Sequence, residues 1–254
     1  MLTKNDIKFI KSLSDKQART ESGMFVVEGR KMVAEAINSG WAVSRILTKS
    51  GSEGRLELTF PQGYMPEDIS EKDMERISQL KSPADILALV GIPERKFDIN
   101  KIETGLVLAA DGIQDPGNMG TIIRIADWFG IADVVCSADS ADCYNPKVVQ
   151  ATMGALFRVG VHYCELPGLL KHARKASAGI YGTFLDGENI YDADLARYGI
   201  IVMGSEGRGV TPACEKYVDR RLFIPPYPAG RQGSESLNVA AATAVICSEF
   251  RRRK

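Results

Sequence analysis

The stretch LAADGIQDPGNMGTIIRIADWFG, residues 108–130, decides the fold because it joins a strand to a helix through a turn. Its apolar start predicts a buried β-strand, and Asp115-Pro116-Gly117 is typical of a turn. Asn118 is suited to cap the helix that follows. The apolar positions of that helix recur at the spacing of one face: Ile122, Ile125, Ala126 and Phe129.

Arg124 lies off this apolar stripe and shares the other face with Thr121 and Trp128. The helix macrodipole does not favour a cation so close to a helix N-terminus. Two interpretations are open: Arg124 is a solvated side chain or an ion-pair partner of Asp127, or it has a function.

Strands and helices alternate on both sides of this stretch, which predicts an α/β protein with a parallel sheet covered by helices. We predict two domains. Residues 1–93 form a small α/β domain, the polar stretch 94–104 is a linker, and residues 105–254 form the larger α/β domain.

Composition narrows the class of protein. The chain has 254 residues, 44% of them hydrophobic and 25% charged, with 32 Lys+Arg balancing 32 Asp+Glu. These values exclude a disordered, collagen-like or disulfide-scaffold chain. The start MLTKNDIKFIKSL lacks the features of a signal peptide, so we expect a cytoplasmic protein. The five cysteines form no CxxC pair and no zinc spacing is present, so we expect no metal. No run approaches the roughly 20 apolar residues of a membrane span, so we expect no membrane as a partner.

A glycine-rich segment follows a later apolar run, in GIIVMGSEGRGV, residues 199–210. Glycines at Gly204 and Gly209 let the backbone approach a ligand closely, although a simple tight turn has the same composition. Glu206 is either a functional carboxylate or a cap. The pattern is neither GxGxxG nor GxxxxGK[ST], which argues against a dinucleotide oxidoreductase.

A third segment, residues 220–250, ends a strand at Ile224 and continues through a Pro/Gly loop into a helix that Ser234 or Ser236 opens. This helix is apolar almost all round, which indicates burial inside the fold or against another chain. Asn238, at the start of this helix, either caps the helix with its side-chain hydrogen bonds or has a function in the site.

Together, the three segments resemble the three signature motifs of the SpoU (TrmH-like) branch of the SPOUT methyltransferases. The matching patterns are N-x-G-x-x-x-R followed by F-G within 118–130, G-S-E-G-x-G at 204–209, and I-P at 224–225 with S-L-N-V at 236–239. The segment GMFVVEGRKMVAEAINSG, residues 23–40, resembles the small L30e-like substrate-binding domain of many such enzymes.

The resemblance implies an L30e-like domain followed by a SPOUT domain with a C-terminal trefoil knot, acting as a homodimer with its catalytic site at the subunit interface. It implies methylation of a ribose 2′-hydroxyl in RNA, with S-adenosyl-L-methionine as cofactor. By motif position, the expected cofactor contacts are Gly204, Ile224 and Leu237, together with Gly209 and Ser236.

The expected catalytic group is Arg124, with Asn118, Glu206 and Asn238 shaping the site. A guanidinium is a poor proton acceptor, so we assign Arg124 to phosphate binding and to stabilisation of the developing alkoxide. Expected RNA contacts are Lys16, Arg19, Arg30 and Lys31, drawn from basic residues near the amino terminus and at the start of the next helix.

One departure and several alternatives remain. Ten residues, 226–235, separate Pro225 from Ser236, more than the family pattern leads us to expect, which puts the role of Arg231 in doubt. Ribosomal RNA of the large subunit is the preferred substrate, with transfer RNA as the alternative. The rival functions are a SPOUT base methyltransferase and a non-catalytic RNA-binding factor in ribosome assembly.

Overall fold

The computed structural model describes residues 2–52, 60, 63–228 and 236–252. The helices, in chain order, are α1 (Lys4–Ser12), α2 (Lys16–Ser22), α3 (Arg30–Asn38), α4 (Glu71–Ile77), α5 (Pro116–Trp128), α6 (Pro146–Thr152), α7 (Leu166–Lys175), α8 (Pro212–Glu215) and α9 (Val239–Arg252). The strands are β1 (Met24–Glu28), β2 (Val43–Lys49), β3 (Glu67–Ile69), β4 (Ile86–Gly91), β5 (Leu106–Asp111), β6 (Asp133–Cys136), β7 (Gly160–Tyr163), β8 (Ile180–Asn189), β9 (Gly199–Gly204) and β10 (Arg220–Phe223).

The chain divides into two compact units. The first comprises Met1–Glu94 with Asp142–Phe157, and the second comprises Arg95–Ala141 with Arg158–Lys254. Two segments therefore differ from the sequence-based division. Residues 142–157 belong to the first unit, and the stretch expected to be a linker belongs to the second from Arg95 onwards.

The first unit is built on a sheet of strand order β1-β4-β2-β3, in which β4 is antiparallel to β1 and β2 while β3 is parallel to β2. Its helix α1 begins with a capping box between Thr3 and Asp6, and Ile7 and Ile10 on this helix are buried in the core.

Aromatic contacts explain why residues 142–157 pack in the first unit. The ring of Tyr144 lies 4.9 Å from that of Phe25, and the ring of Phe157 meets Trp41 edge-on at 5.1 Å. Such aromatic pairs add stability beyond the area that they bury. Sequence periodicity does not reveal these contacts because they join positions more than 100 residues apart.

The second unit is built on a sheet of order β10-β8-β9-β5-β6-β7, in which every neighbouring pair is parallel. All residues of β5 and β6 are buried, as parallel strands covered on both faces require. The predicted α/β architecture with a parallel sheet is thus confirmed, while the trefoil knot stays a prediction.

The expected linker is part of this second core. Ile102, in a 3-10 turn at Ile99–Glu103, is fully buried. The ammonium of Lys101 lies 2.7 Å from an Asp133 carboxylate oxygen, and His162 Nε2 lies 2.9 Å from the other oxygen. A buried isoleucine and a charged cluster are incompatible with a free linker.

Helices α5 and α9 pack together in the second unit, and this pairing positions the site. The Arg251 guanidinium, near the end of α9, donates to the carbonyls of Phe129 and Gly130 after α5, at 2.8 and 3.1 Å. Phe250 packs edge-on against Tyr181 of β8, with the ring centres 4.9 Å apart.

Within the described ranges, no helix is long and apolar enough to cross a membrane. The same ranges contain no group of three His, Cys, Asp or Glu side chains that could hold a metal ion.

Candidate active site

Three strands of the second unit end at the same edge of its sheet, because β5, β9 and β10 belong to one parallel sheet. The loops that follow these strands contain the three predicted motifs. In open parallel sheets, ligands bind at the carboxyl ends of the strands, so this edge is the expected position of a site.

A buried carboxylate at the end of β5 holds the glycine-rich loop in place. Asp111 is 4% exposed, and one of its oxygens accepts a hydrogen bond from the Thr211 amide at 2.7 Å. This bond ties the residue that precedes α8 to the end of β5. Sequence analysis missed Asp111, although an aspartate that closes an apolar strand is a visible signal.

The loop between β9 and α8 is closed on itself. The Ser205 amide donates to the Gly209 carbonyl at 3.2 Å, and the Gly209 amide donates back to the Ser205 carbonyl at 2.8 Å. A Cβ at Gly204 would lie only 2.1 Å from the Gly209 carbonyl carbon, and Gly209 has a φ of +64°. Both glycines are therefore required by the turn itself, which projects Glu206 outward.

Helix α5 begins three residues earlier than predicted. Its cap is Asp115, whose side-chain oxygen accepts from the Asn118 amide at 2.8 Å, with Pro116 in the first turn. The prediction that Asn118 caps this helix was wrong, because the preceding Asp-Pro pair supplies both features of a helix start. The Asn118 side chain is consequently available for other partners.

Those partners come from the other two motifs. Asn118 Nδ2 donates to Glu206 Oε1 at 3.1 Å, Asn238 Nδ2 donates to the same oxygen at 2.7 Å, and Asn238 Nδ2 also donates to Asn118 Oδ1 at 2.8 Å. Glu206 and Asn238 lie 88 and 120 positions after Asn118 in the sequence, and the three side chains form one polar cluster. We call Asn118, Glu206 and Asn238 the amide–carboxylate cluster.

Asn238 caps a helix, as one of its two interpretations predicts, and it also contacts the other two motifs. Its Oδ1 accepts from the amides of Ala240 and Ala241 at 3.0 and 3.2 Å and so caps α9, while its Nδ2 belongs to the cluster. Ser236 does not open the helix, since it is exposed two residues before Asn238, and Ser234 lies outside the described residues.

Arg124 makes no hydrogen bond to the three residues of the cluster. It is exposed on α5, and it makes no hydrogen bond or ion pair with another described residue. Asp127 instead pairs with Arg158, at 2.8 Å, so the ion-pair interpretation of Arg124 was wrong. Arg124 lies six positions after Asn118 on the helix, a rotation of about 240° around the axis, and the two side chains therefore face different directions.

The amide–carboxylate cluster borders an open pocket of about 370 Å³. Its wall comes from the segment after β5, from the glycine-rich loop and from the start of α9, including Asp115, Arg208 and Val239. The pocket thus combines polar groups that orient a ligand with backbone that can approach it closely.

The expected cofactor residues lie at the same edge of the sheet. Ile224 follows the last paired residue of β10, is half-buried, and its main chain makes no hydrogen bond to another described residue. Leu237 is 52% exposed just before α9. Available main-chain groups beside exposed apolar side chains suit an adenine-containing ligand. Residues 229–235, and with them Arg231, lie outside the described residues.

One expected RNA contact requires correction. Arg19 is 2% exposed, and its guanidinium binds an Asp142 oxygen at 2.5 Å and the carbonyls of Leu13 and Ser14 at 2.8 and 2.9 Å. Because its donors are used inside the first unit, Arg19 is a structural residue. Lys16, Arg30 and Lys31 are exposed.

A polar cluster and a pocket at the carboxyl edge of a parallel sheet are features of a ligand-binding site in an α/β protein. Residues 105–248 match the model of the SpoU rRNA Methylase family, and residues 4–88 match that of the MRM3-like substrate binding domain. The chain belongs to the SpoU rRNA methylase family.

Individual relatives agree with this assignment. The 23S rRNA (guanosine(2553)-2′-O)-methyltransferase RlmP of Bacillus subtilis (strain 168) is 32% identical over 96% of this chain and 95% of its own length. A Porphyromonas gingivalis protein assigned to the TrmH family of RNA methyltransferases has a solved structure that is 39% identical, covers both chains fully and has a TM-score of 0.88. The SpoU methyltransferase AviRb from Streptomyces viridochromogenes, solved in complex with AdoMet, is 26% identical with a TM-score of 0.82, and the match covers 99% and 98% of the two chains.

Proposed function

We propose that this protein transfers a methyl group from S-adenosylmethionine to a ribose 2′-hydroxyl of 23S ribosomal RNA. The amide–carboxylate cluster carries the proposal, because it brings together one polar residue from each family motif beside an open pocket. Membership of the family and similarity over the full length to RlmP, named for 23S rRNA 2′-O-methylation, support the same activity.

The residues at the sheet edge fit the cofactor. Main-chain groups at Ile224 and Gly204, the exposed side chain of Leu237, and Ser236 would hold S-adenosylmethionine, with Gly209 shaping the loop beside it. When bound, the cofactor supplies an electrophilic methyl group on a positively charged sulfur. The AdoMet complex of AviRb supports this assignment.

The remaining task is to align the ribose hydroxyl and to stabilise it as it loses its proton. Glu206 and Asn238 hold Asn118, and together they orient the ribose in the pocket. Arg124 binds the adjoining phosphate and stabilises the developing alkoxide, and the proton passes to a substrate phosphate or to water.

Arg124 acts across a homodimer in this proposal. Because Arg124 and Asn118 face different directions on the same helix, we propose that a second copy of the chain brings its Arg124 to the ribose that Asn118 orients. Two exposed apolar surfaces support such an interface. Trp128, at the end of α5, is 85% exposed, and α9 leaves Ala241, Ala244 and Val245 only partly covered.

The first unit supplies RNA affinity through exposed cations at Lys16, Arg30 and Lys31. Phosphate contacts give RNA affinity without sequence specificity. A few local cations can therefore bind RNA although the whole chain has no net charge. A ribosomal RNA substrate is compatible with the expected cytoplasmic location. Transfer RNA is the second candidate substrate, since the resemblance extends to enzymes that modify it.

The test uses purified protein with methyl-labelled S-adenosylmethionine and with rRNA and tRNA from cells that lack this gene. We expect label in a single 2′-O-methylnucleoside of 23S rRNA, and no label with Arg124→Ala although that variant still binds the cofactor. Label in tRNA would show that tRNA is the substrate, and label on a base would refute ribose methylation. Cofactor binding without transfer to either RNA would favour an assembly intermediate as substrate. Absence of both cofactor binding and label would favour the non-catalytic RNA-binding factor.

A further inference from the structure

We propose that Arg208 binds a backbone phosphate next to the target nucleotide and thereby positions the RNA in the pocket. The proposal rests on the proposed function, since it assigns a second RNA contact to the same site. Arg208 is the variable residue of the glycine-rich motif, and sequence analysis assigned no role to it.

The first observation is the position of Arg208. Its side chain lines the pocket beside Asn118 and Glu206. Of the described residues in that wall, Arg208 alone is a cation, whereas Asp115 and Glu206 are acidic. A polyanion that enters this pocket is therefore attracted to Arg208 and repelled by the two carboxylates.

The second observation is that Arg208 is held in a defined orientation. Its Nη2 lies 2.9 Å from Asp139 Oδ2, and Asp139 Oδ1 accepts a hydrogen bond from the Ser137 hydroxyl at 2.6 Å. The Ser137 bond and the Arg208 guanidinium lower the pKa of Asp139, so this carboxyl stays ionised. Ser137 also accepts from the Gly112 amide at 2.8 Å, which links the chain of contacts to the end of β5.

The third observation is the space left for the guanidinium. Gly112 has a φ of +70°, and a Cβ at this position would lie 2.8 Å from Arg208 Nη2. Glycine at position 112 therefore allows the left-handed backbone conformation and also leaves room for the Arg208 guanidinium.

The fourth observation is the number of donors that remain. Among the described residues, Asp139 is the one hydrogen-bonding partner of this guanidinium, and the side chain is 57% exposed. A guanidinium has five N–H donors in a planar fork that matches a phosphate. Because exposed ion pairs contribute little to folding, stability does not account for an oriented arginine here. A phosphate can use the free donors while Asp139 keeps its bond.

The test compares Arg208→Ala and Arg208→Lys with wild-type protein, and uses Arg197→Ala as the matched control because Arg197 is an exposed arginine of the same unit outside the pocket wall. Deproteinised 23S rRNA is the probe. We measure cofactor Kd by calorimetry, KM and kcat for RNA, and RNA affinity at several salt concentrations.

For Arg208→Ala we expect a KM for RNA raised about tenfold, and a slope of log affinity against log salt that is smaller by about 1, as for loss of one phosphate contact. Cofactor Kd stays at the wild-type value, and Arg208→Lys recovers the salt slope because it keeps the charge. An unchanged KM and salt slope in Arg208→Ala, or equal changes in Arg197→Ala, would overturn the proposal. If wild-type protein methylates neither rRNA, tRNA nor a ribosome-assembly intermediate, the proposed function fails, and the salt slopes still decide the role of Arg208.

Discussion

Removal of the Glu206 carboxylate tests how the amide–carboxylate cluster works. Its Oε1 accepts from Asn118 Nδ2 at 3.1 Å and from Asn238 Nδ2 at 2.7 Å. A hydrogen bond to a charged group contributes about 1.5–3 kcal/mol. Glu206 is exposed, and water competes for the same donors, so we assign about 1 kcal/mol to each bond. Loss of both allows Asn118 to move away from the ribose.

If all of this energy acts on the transition state, about 2 kcal/mol corresponds to a fall in kcat of roughly 30-fold for Glu206→Ala. Glu206→Gln keeps an oxygen that accepts both bonds and loses the charge alone, so its kcat falls less than about fivefold. Single-turnover methyl transfer at saturating cofactor measures both, and Glu103→Ala, an exposed carboxylate of the same unit, is the control. Equal rates for Glu206→Ala and wild type, or a Gln variant as slow as the Ala variant, would refute this reasoning.

Three further predictions follow from the site and the two cores. The Arg124→Ala and Asn118→Ala variants are each inactive, but together they recover roughly a quarter of wild-type turnover when they are co-expressed. Half of the dimers then contain one chain of each variant, and one of the two sites in such a dimer has both wild-type residues. No recovery would exclude a site shared between two copies. Asp111→Ala lowers the free energy of unfolding by about 2 kcal/mol through loss of the Thr211 bond, and Asp111→Asn lowers it less; urea denaturation measures both, and equal losses would show that the acceptor oxygen is not the cause. Burial raises the pKa of Glu28 above its ordinary value of 4.5, so the folded state holds this proton more tightly than the unfolded state. The resulting stability is fully present below the ordinary pKa and is lost as pH rises through the raised pKa. Glu28→Gln removes this pH dependence, and unfolding curves from acidic to neutral pH with the same slope as wild type would contradict the prediction.

Local patterns were sufficient to predict the class of the larger domain. Apolar runs such as β5, and the alternation of strands with helices, follow from the burial of parallel strands on both faces. The face of α5 was predicted less well. Ile122 and Ala126 are buried as expected, but Ile123 is buried too, whereas Ile125 is half-buried. The buried arc of α5 is therefore wider than one apolar stripe indicates.

The members of the candidate site could be predicted because each one belongs to a motif. Their arrangement could not be predicted, because Asn118, Glu206 and Asn238 meet only after the sheet has brought three distant loops together. The same limit explains the error at Arg19. A basic residue in a polar stretch resembles an RNA contact until the fold provides Asp142 as its partner.

The most direct measurement of the central claim is nucleoside mapping of 23S rRNA from three strains: one with this gene, one without it, and one that carries Arg124→Ala in its place. The proposed function predicts that a single 2′-O-methylated nucleotide disappears without the gene and stays absent with Arg124→Ala. An unchanged 23S rRNA, the loss of a base methyl group instead, or full methylation by Arg124→Ala would contradict it.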